Sequence, residues 1–354
     1  MAKMLMKGNE AVAEAAIQAG CRFFFGYPIT PQNEIPEYMA ARLPKIGGTF
    51  LQAESEVAAI NMVYGAAGAG ARAMTSSSSP GISLKQEGIS YMVGAELPAV
   101  IVNMVRGGPG LGSIQPAQSD YFQSTRGGGH GDYRTPTFVP ASIQEAVELT
   151  QRAFDVADQY RNPVIVMGDG MIGQMMEPVE MPDYKPRDLA PKTWATTGWS
   201  EKMGIPRRII NSLYIQADEL EVHVAKLMAK YAEIEKNECM VEEQFTDDAD
   251  IIIAAYGTTA RICLTAVRQA RAKGIKCGLI RPITVWPFPS STFLKAAQHT
   301  KAMLCVEMSC GQMIDDVKIA VEGKCPVMFY GRTGGMIPTV REIEAEIEKL
   351  NAAR

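Results

Sequence analysis

The chain has 354 residues, 47% of them hydrophobic and 21% charged, with a formal net charge of −4. That length holds two domains of ordinary size, each with its own core, and the composition is that of a soluble globular protein. The charge gives no reason to expect nucleic acid, whose partners carry basic patches, and no apolar run approaches the ~18 residues of a membrane span. The opening MAKMLMKGNEAVAEAA lacks the apolar core and cleavage site of a secretory signal. The seven cysteines include no C-x-x-C pair, so neither an iron–sulfur cluster nor structural zinc is expected in this chain. His130, His223 and His299 lie far apart, which argues against a histidine-based metal centre. Scattered thiols and no signal make the cytoplasm the expected compartment.

In chain order, Asn9 is placed to cap a helix whose apolar positions Val12, Ala16 and Ile17 recur at helical spacing, with Gly20 as its stop. CRFFFG then reads as a buried strand. It runs into YPITPQNEIPEY, a loop that carries Pro28, Pro31 and Pro36 around Thr30. A plain connection needs fewer constraints, so this loop is either a rigid wall of a site or a stiff turn. A second helix is predicted over about 55–68. PAVIVNMV (98–105) and NPVIVMGDG (162–170) are continuous β-branched runs of the kind that form parallel strands covered on both faces. The amphipathic IQEAVELTQRAFDVADQY lies between them, and strand, helix, strand in that order predicts a βαβ sheet.

From residue 177 to about 207 the periodicity dissolves, and five prolines suggest an extended linker lying across a surface. A charged helix is predicted over about 217–237. Strand, helix and strand follow again in DADIIIAAYGTTARICLTAVRQARAKGIKCGLIRPI, with further strands at MLCVEM and PVMFYG. The reading is therefore two α/β domains: 1–175, then a linker and charged helix over 176–239, then 240–354.

Several motifs are weak alone. GAAGAGAR (65–72) is spaced like a phosphate loop, but Ala71 and Arg72 stand where a Walker motif needs Lys and then Ser or Thr. Packing of helix on strand by small residues is expected there instead. GGPGLG and RGGGHGD lack G-x-G-x-x-G spacing. GDG (168–170) looks like the start of a metal–diphosphate motif. The asparagine such a motif needs is missing at the right distance, the nearest being Asn211, so a turn is expected. The serines at 76–79 form a polar loop with no base nearby in sequence, which suits lining a ligand better than nucleophilic attack. Cys21 reads as packing.

Three residues carry more. Glu54 and Glu56 open a helix otherwise made of small and apolar residues, where acids also favour the helix dipole. A carboxyl at the end of such a helix sits in a dry wall that disfavours its charged form, which is the tuning an acid–base group needs. Arg106 follows a predicted central strand, and ligands of open α/β sheets gather at carboxyl ends, so it can hold a carboxylate by a two-point bond; a surface loop arginine is the plain alternative. Thr30 occupies an equivalent strand end, its hydroxyl held between two prolines.

Taken together, GNEAVAEAAIQAGCRFFFGYPITPQNEI, QAESEVAAINMVYGAAGAGARAMTSSSSPGISL, VRGGPGLG and GLIRPITVWPFPS resemble the α-chain of 2-oxoacid:ferredoxin oxidoreductases over nearly the whole sequence. SSSSPGISLKQEGISYM and GGGHGDYR look most like the branched-chain members, which act on 3-methyl-2-oxobutanoate (2-ketoisovalerate). The resemblance implies a thiamine-diphosphate-binding fold: a pyrimidine-type domain with a parallel sheet and helices on both faces, then a transketolase C-terminal-like α/β domain. It implies a cofactor shared between chains, with magnesium and the diphosphate on a catalytic partner subunit. Iron–sulfur clusters would lie on a ferredoxin-like subunit, a further small subunit would complete the complex, ferredoxin would take the electrons and coenzyme A the acyl group. Glu56, nine residues before Gly65, would be the activating glutamate, bonded to the aminopyrimidine nitrogen, and Glu54 the structural one. Tyr27, Pro28 and Ile29 would line the cofactor pocket, with the Thr30 hydroxyl facing the substrate and Arg106 holding its carboxylate.

Rival readings remain at this level. With 2-oxoglutarate as substrate, a second carboxylate would call for another basic residue, such as Arg126 or Arg134. A non-catalytic scaffold chain would not require Glu56. A transketolase-like enzyme complete in one chain would need the absent metal–diphosphate motif.

Overall fold

The computed structural model describes residues 3–352. The N-terminal half runs β1 (Met4–Lys7), α1 (Gly8–Gln18), β2 (Phe23–Gly26), α2 (Glu34–Arg42), β3 (Thr49–Gln52), α3 (Glu56–Gly68), β4 (Ala73–Ser77), α4 (Ser79–Gly94) and β5 (Ala99–Val105). It continues with α5 (Tyr121–Thr125), β6 (Thr137–Phe138), α6 (Ile143–Tyr160), β7 (Pro163–Asp169), α7 (Gly170–Gln174) and β8 (Met176–Val179). Helix α8 (Ala217–Glu238) leads to β9 (Val241–Gln244), β10 (Ile251–Ala254), α9 (Gly257–Ala272), β11 (Cys277–Pro282) and β12 (Thr284–Trp286). Then come α10 (Ser290–Ala297), β13 (Ala302–Glu307), α11 (Met313–Ala320), β14 (Val327–Gly331) and α12 (Val340–Ala352).

The first sheet has seven strands in the order β12-β6-β7-β5-β4-β2-β3, parallel except for β12. All seven residues of β5 and of β7 are buried, because both faces of the sheet are covered. The two-residue period of a strand divides β5 between two cores. Val100, Val102 and Met104 pack with Val12, Ile17 and Phe154 of α1 and α6, while Ile101 and Val105 pack with Ile60, Val63, Ile89 and Val93 of α3 and α4. The chain goes from β2 to β3 on one side and returns to β4 on the other, so the carboxyl ends of β2 and β4 flank a topological switch point, where open α/β sheets bind ligands.

The second sheet is β14-β13-β10-β11-β9, with β9 antiparallel. Helices α9 and α12 cover one face. The other face joins the core of the N-terminal half through Tyr121, Tyr256, Val285, Trp286 and Phe293. Strand β12, which lies beyond residue 240, pairs with β6 in the first sheet.

One expectation needs correction. Asn9 does not cap α1: the helix starts at Gly8, and fully buried Asn9 donates to the Pro31 carbonyl at 2.8 Å and to Glu34 Oε2 at 2.7 Å. Glycine is needed at 8 because a Cβ there would lie 1.8 Å from the Ile172 carbonyl oxygen. In GAAGAG, fully buried Ala67 shares a core with Phe25 of β2 and Ala73 of β4, as expected of small residues, while the space beside Gly65 and Gly68 is open and Gly70, at φ +87°, meets Ala195 of the proline-rich segment.

That segment is extended and held by side chains. Arg72 donates to Asp158 at 2.8 Å, Asp155 at 2.7 Å, the Ala19 carbonyl at 2.6 Å and the Tyr184 hydroxyl at 2.7 Å. Tyr184 in turn donates to Asp155 at 2.5 Å, and burial together with that carboxylate pushes its phenol up to about 12. Arg72→Met takes the cation from largely buried Asp155, while Asp158 keeps Lys192 at 2.5 Å. The expected loss is about 3–5 kcal/mol in chemical denaturation, with Arg72→Lys recovering less than half because a point charge cannot fork to both aspartates.

Candidate active site at the switch point

Glu56 is the first residue of α3. Ser55 caps that helix, its Oγ accepting from the Ala58 N–H at 3.2 Å. The side chain of Glu56 is turned inward and only 6% of the residue is exposed, whereas Glu54 is exposed. Its Oε1 lies against the first turn of α4 at Gly81, where an added Cβ would stand 2.7 Å from that oxygen and 2.1 Å from Ser77 Oγ. The hydroxyls of Ser77 and Ser78, both fully buried, have no hydrogen-bond partner. A buried carboxylate, two orphaned hydroxyls and a glycine cradle together leave polar groups able to bond the edge of a polar ring.

One turn further along α4 stands Lys85, fully buried. Its Nζ donates to Thr75 Oγ1 at 2.8 Å and to the Ser76 carbonyl at 2.9 Å. Burial pulls this amine down to about 7, against the opposing pull of the Glu56 charge. Sequence reasoning missed Lys85, although the signal was present: Ile82, Lys85, Ile89 and Met92 share the buried stripe of α4, and a lysine on such a stripe has to have a use or a partner. Ser76 Oγ donates to Oε1 of fully buried Gln32 at 2.5 Å, tying β4 to the loop after β2.

In that loop Tyr27 and Pro28 are exposed and Ile29 and Thr30 half-buried. The Thr30 hydroxyl accepts from Asn33 at 3.5 Å, and its carbonyl accepts from Arg106 Nη1 at 3.0 Å. Arg106 Nη2 donates to the Leu111 carbonyl at 3.0 Å, while Nε is buried without a partner. Ser79, the first residue of α4, bonds the Arg106 backbone through its hydroxyl, accepting from the N–H at 3.1 Å. Glu56 and Arg106 therefore meet the same helical turn, and Thr30 joins Arg106 through its main chain.

Arg106 lines a cavity of about 640 Å³ between the two halves of the molecule, with Ser79, Asp120, Ser309, Cys310 and Gln312. Thr30 lines a separate hollow of about 550 Å³ with Glu34, Ile114 and Gln174. Asp120, also missed from sequence, is the second ionisable side chain in the larger cavity; burial raises its carboxyl, while Ser79 and Asn103 pull the other way. Arg126 is spent on Asp316 at 2.7 Å, and Arg134 donates to the Tyr133 carbonyl at 2.9 Å. Neither lines the cavity. At GDG, Asp169 ends β7 and caps α7, accepting from the N–H groups of Met171 and Ile172. Among the described residues no cluster of three or more His, Cys, Asp or Glu could hold a metal ion, and no helix is long and apolar enough to cross a membrane.

The family described as "Pyruvate flavodoxin/ferredoxin oxidoreductase, thiamine diP-bdg" matches residues 14–243, and "Pyruvate:ferredoxin oxidoreductase core domain II" matches 249–343. Ketoisovalerate oxidoreductase subunit VorB of Methanothermobacter thermautotrophicus is 48% identical over 99% of this chain and 98% of its own. 2-Oxoglutarate synthase subunit KorA of the same organism is 39% identical over 98% of each. Among solved structures, 2-oxoglutarate:ferredoxin oxidoreductase from Magnetococcus marinus, with 2-oxoglutarate, coenzyme A and succinyl-CoA bound, superposes with a TM-score of 0.86 at 27% identity. That alignment covers 98% of this chain and 65% of the longer one. On sequence and fold together, this chain, with its thiamine-diphosphate-binding fold, belongs to the 2-oxoacid:ferredoxin oxidoreductase family.

Proposed function

We propose that the chain is the pyrimidine-side subunit of an enzyme that oxidatively decarboxylates 3-methyl-2-oxobutanoate to the acyl-CoA, carbon dioxide and reduced ferredoxin. The observation that carries this reading is the inward carboxylate of Glu56 against Gly81, beside the orphaned Ser77 and Ser78 hydroxyls. Those groups fit an aminopyrimidine edge. In this reading residues 1–175 form the pyrimidine-binding domain, 240–354 the transketolase C-terminal-like domain, and 176–239 the strap between them. The diphosphate and magnesium belong to a catalytic partner subunit, the iron–sulfur clusters to a ferredoxin-like one, a further small subunit completes the complex, and its compartment is the cytoplasm.

When bound, thiamine diphosphate supplies a carbanion to attack the 2-oxo carbon and a ring to take the electron pair that carbon dioxide leaves behind. The rest falls to this chain. Glu56 gives a proton to the pyrimidine ring nitrogen and takes it back, its buried position keeping water from competing. Arg106 offers its unpartnered Nε and the remaining N–H groups of its fork to the substrate carboxylate. The Thr30 and Leu111 carbonyls fix the guanidinium plane, so little orientation entropy is lost on binding. Tyr27, Pro28 and Ile29 wall the cofactor side.

Two observations favour a monocarboxylate. Among the described residues Arg106 is the only cationic side chain lining the larger cavity, and Arg126, a candidate for a second carboxylate, is already paired with Asp316. The VorB relatives act on ketoisovalerate by their name and are more similar than the KorA chain.

Anaerobic dye reduction by the co-purified complex, with coenzyme A and a panel of 2-oxoacids, tests the reading. Highest kcat/KM is expected for 3-methyl-2-oxobutanoate. A preference for 2-oxoglutarate discards the substrate, and no reduction with any 2-oxoacid by cofactor-loaded complex discards the function. Glu56→Gln is expected to lower turnover at least ~100-fold with assembly intact; unchanged turnover would favour a scaffold chain. Arg106→Met should lower kcat/KM about 10–100-fold, the worth of a charge-assisted pair.

A further inference from the structure

Arg106 is oriented by two carbonyl groups, and one of them, that of Thr30, belongs to a loop that is partly open to solvent. The loop's own bonds are long. Gln32 N–H reaches the Ile29 carbonyl at 3.2 Å, Gln32 Nε2 the Tyr27 carbonyl at 3.4 Å and Asn33 the Thr30 hydroxyl at 3.5 Å. Shorter bonds come from outside it. Asn9 Nδ2 and Gln174 Nε2 both donate to the Pro31 carbonyl, each at 2.8 Å, and both also donate to Glu34 Oε2, at 2.7 and 2.8 Å. We propose that Asn9, assisted by Gln174, is a positioning residue for the reaction: by fixing the Pro31 carbonyl it fixes the Thr30 carbonyl, and through it the Arg106 guanidinium that takes the substrate carboxylate. The inference rests on the role given to Arg106 above.

Covalent geometry carries the constraint from one carbonyl to the next. Between the Thr30 and Pro31 carbonyls lie a rigid peptide plane and the two torsions of Pro31, of which the ring locks φ. Only ψ is left free, and binding the Pro31 carbonyl removes it. The ring is itself seated, for a Cβ on Gly170 would come 3.2 Å from Pro31 Cγ. The Thr30 carbonyl is thereby held towards Arg106 Nη1, which it meets at 3.0 Å.

Asn9 is in turn seated by glycines. Gly8 brings the start of α1 against the Ile172 carbonyl, and a Cβ on Gly173 would stand 2.7 Å from Asn9 Oδ1. The amide is fully buried; its nitrogen has two acceptors, while Oδ1 has no hydrogen-bond partner. An idle buried acceptor costs stability, and an apolar side chain would fill the space without that cost. What the amide adds is donors aimed at the Pro31 carbonyl and at Glu34. The Glu34 carboxylate, held also by Lys7 Nζ at 3.1 Å, orients both amides. Gln32 anchors the loop from the other side, through its side chain on Ser76, and leaves the Pro31 carbonyl to Asn9 and Gln174.

The test uses the co-purified complex carrying Asn9→Ala, Asn9→Ser or Gln174→Ala, with Arg106→Met beside them. The readouts are kcat and KM for 3-methyl-2-oxobutanoate, inhibition constants of 3-methylbutanoate and of its uncharged amide, and thiamine diphosphate affinity by calorimetry on cofactor-stripped complex. The acid and the amide share a carbon skeleton, so the ratio of their constants reports the carboxylate's partner and not the general shape of the site. In Asn9→Ala, KM and the acid's inhibition constant are expected to rise about tenfold, the scale of a misplaced binding group. Gln174→Ala, which leaves Asn9 in place, is expected to raise both about threefold. The amide's constant and the cofactor affinity stay within about twofold of the parent, and kcat changes less than KM. An acid constant unchanged in Asn9→Ala overturns the proposal, as does equal weakening of acid and amide. Failure of both Asn9 variants to assemble also overturns it, making the asparagine a folding residue. If Arg106→Met leaves the acid's constant at the parent value, the role of Arg106 falls instead. The two failures are therefore distinguishable.

Discussion

Glu56 reaches the first turn of α4 because residue 81 has no Cβ, and the arrangement of the site follows from that approach. An added methyl would stand within 2.7 Å of the carboxylate and 2.1 Å of Ser77 Oγ, so α3 and α4 would have to part. The same two helices are held together one turn beyond Lys85 by Gly88, where a Cβ would meet Ile60 at 2.6 Å. Two glycines on one face of α4 thus draw it onto α3. What lies between them on that buried side is Lys85, enclosed by the contact and unable to turn to water. Burial of the carboxylate and burial of the amine have one steric cause.

The first turn of α4 also fixes the other half of the site. Ser79 bonds the Arg106 main chain, its backbone N–H donates to Asn103 at 3.2 Å, and Asn103 in turn donates to Asp120 at 2.9 Å. Arg106 has already committed both terminal nitrogens to carbonyl groups. In the proposed role, a guanidinium so occupied would hold a carboxylate less tightly than a free one, which suits a carboxylate that has to leave as carbon dioxide: binding it too well in the ground state would raise the barrier. Orientation is retained and excess affinity is avoided.

Much of this was legible in the sequence. The β-branched runs that became β5 and β7, the helix between them, and the extended strap with its charged helix were read from periodicity alone. So was the buried setting of Glu56, from the small residues that follow it. Asn9 misled because its side chain is a good cap, but an interior position gave it two stronger acceptors on the Thr30 loop and α2. Strand β12 escaped because three residues after a proline carry no usable period, and its pairing with β6 is a long-range choice made by the core around Trp286. Lys85 and Asp120 escaped for another reason. A charged residue on a buried face is the exception to patterning, and only the packing of α4 on β4, or the closing of the cavity over Asp120, makes the exception visible.

Lys85 carries a cost in stability. Its native amine is pulled down to about 7 from the 10.5 of an exposed lysine. Between those values the unfolded chain binds the proton that the native chain gives up, so the contribution of this group to stability rises with pH across the window and is at its most unfavourable below about 7. An apolar side chain of the same length would pack the stripe of Ile82, Ile89 and Met92 without that penalty. Its direct partners are neutral oxygens, the Thr75 hydroxyl and the Ser76 carbonyl, and these anchor the amine between α4 and the end of β4. Stability given up inside α4 is then recovered elsewhere, in a continuous core that runs from Ile101 of the first sheet to Met303 of the second and keeps the two halves in one piece.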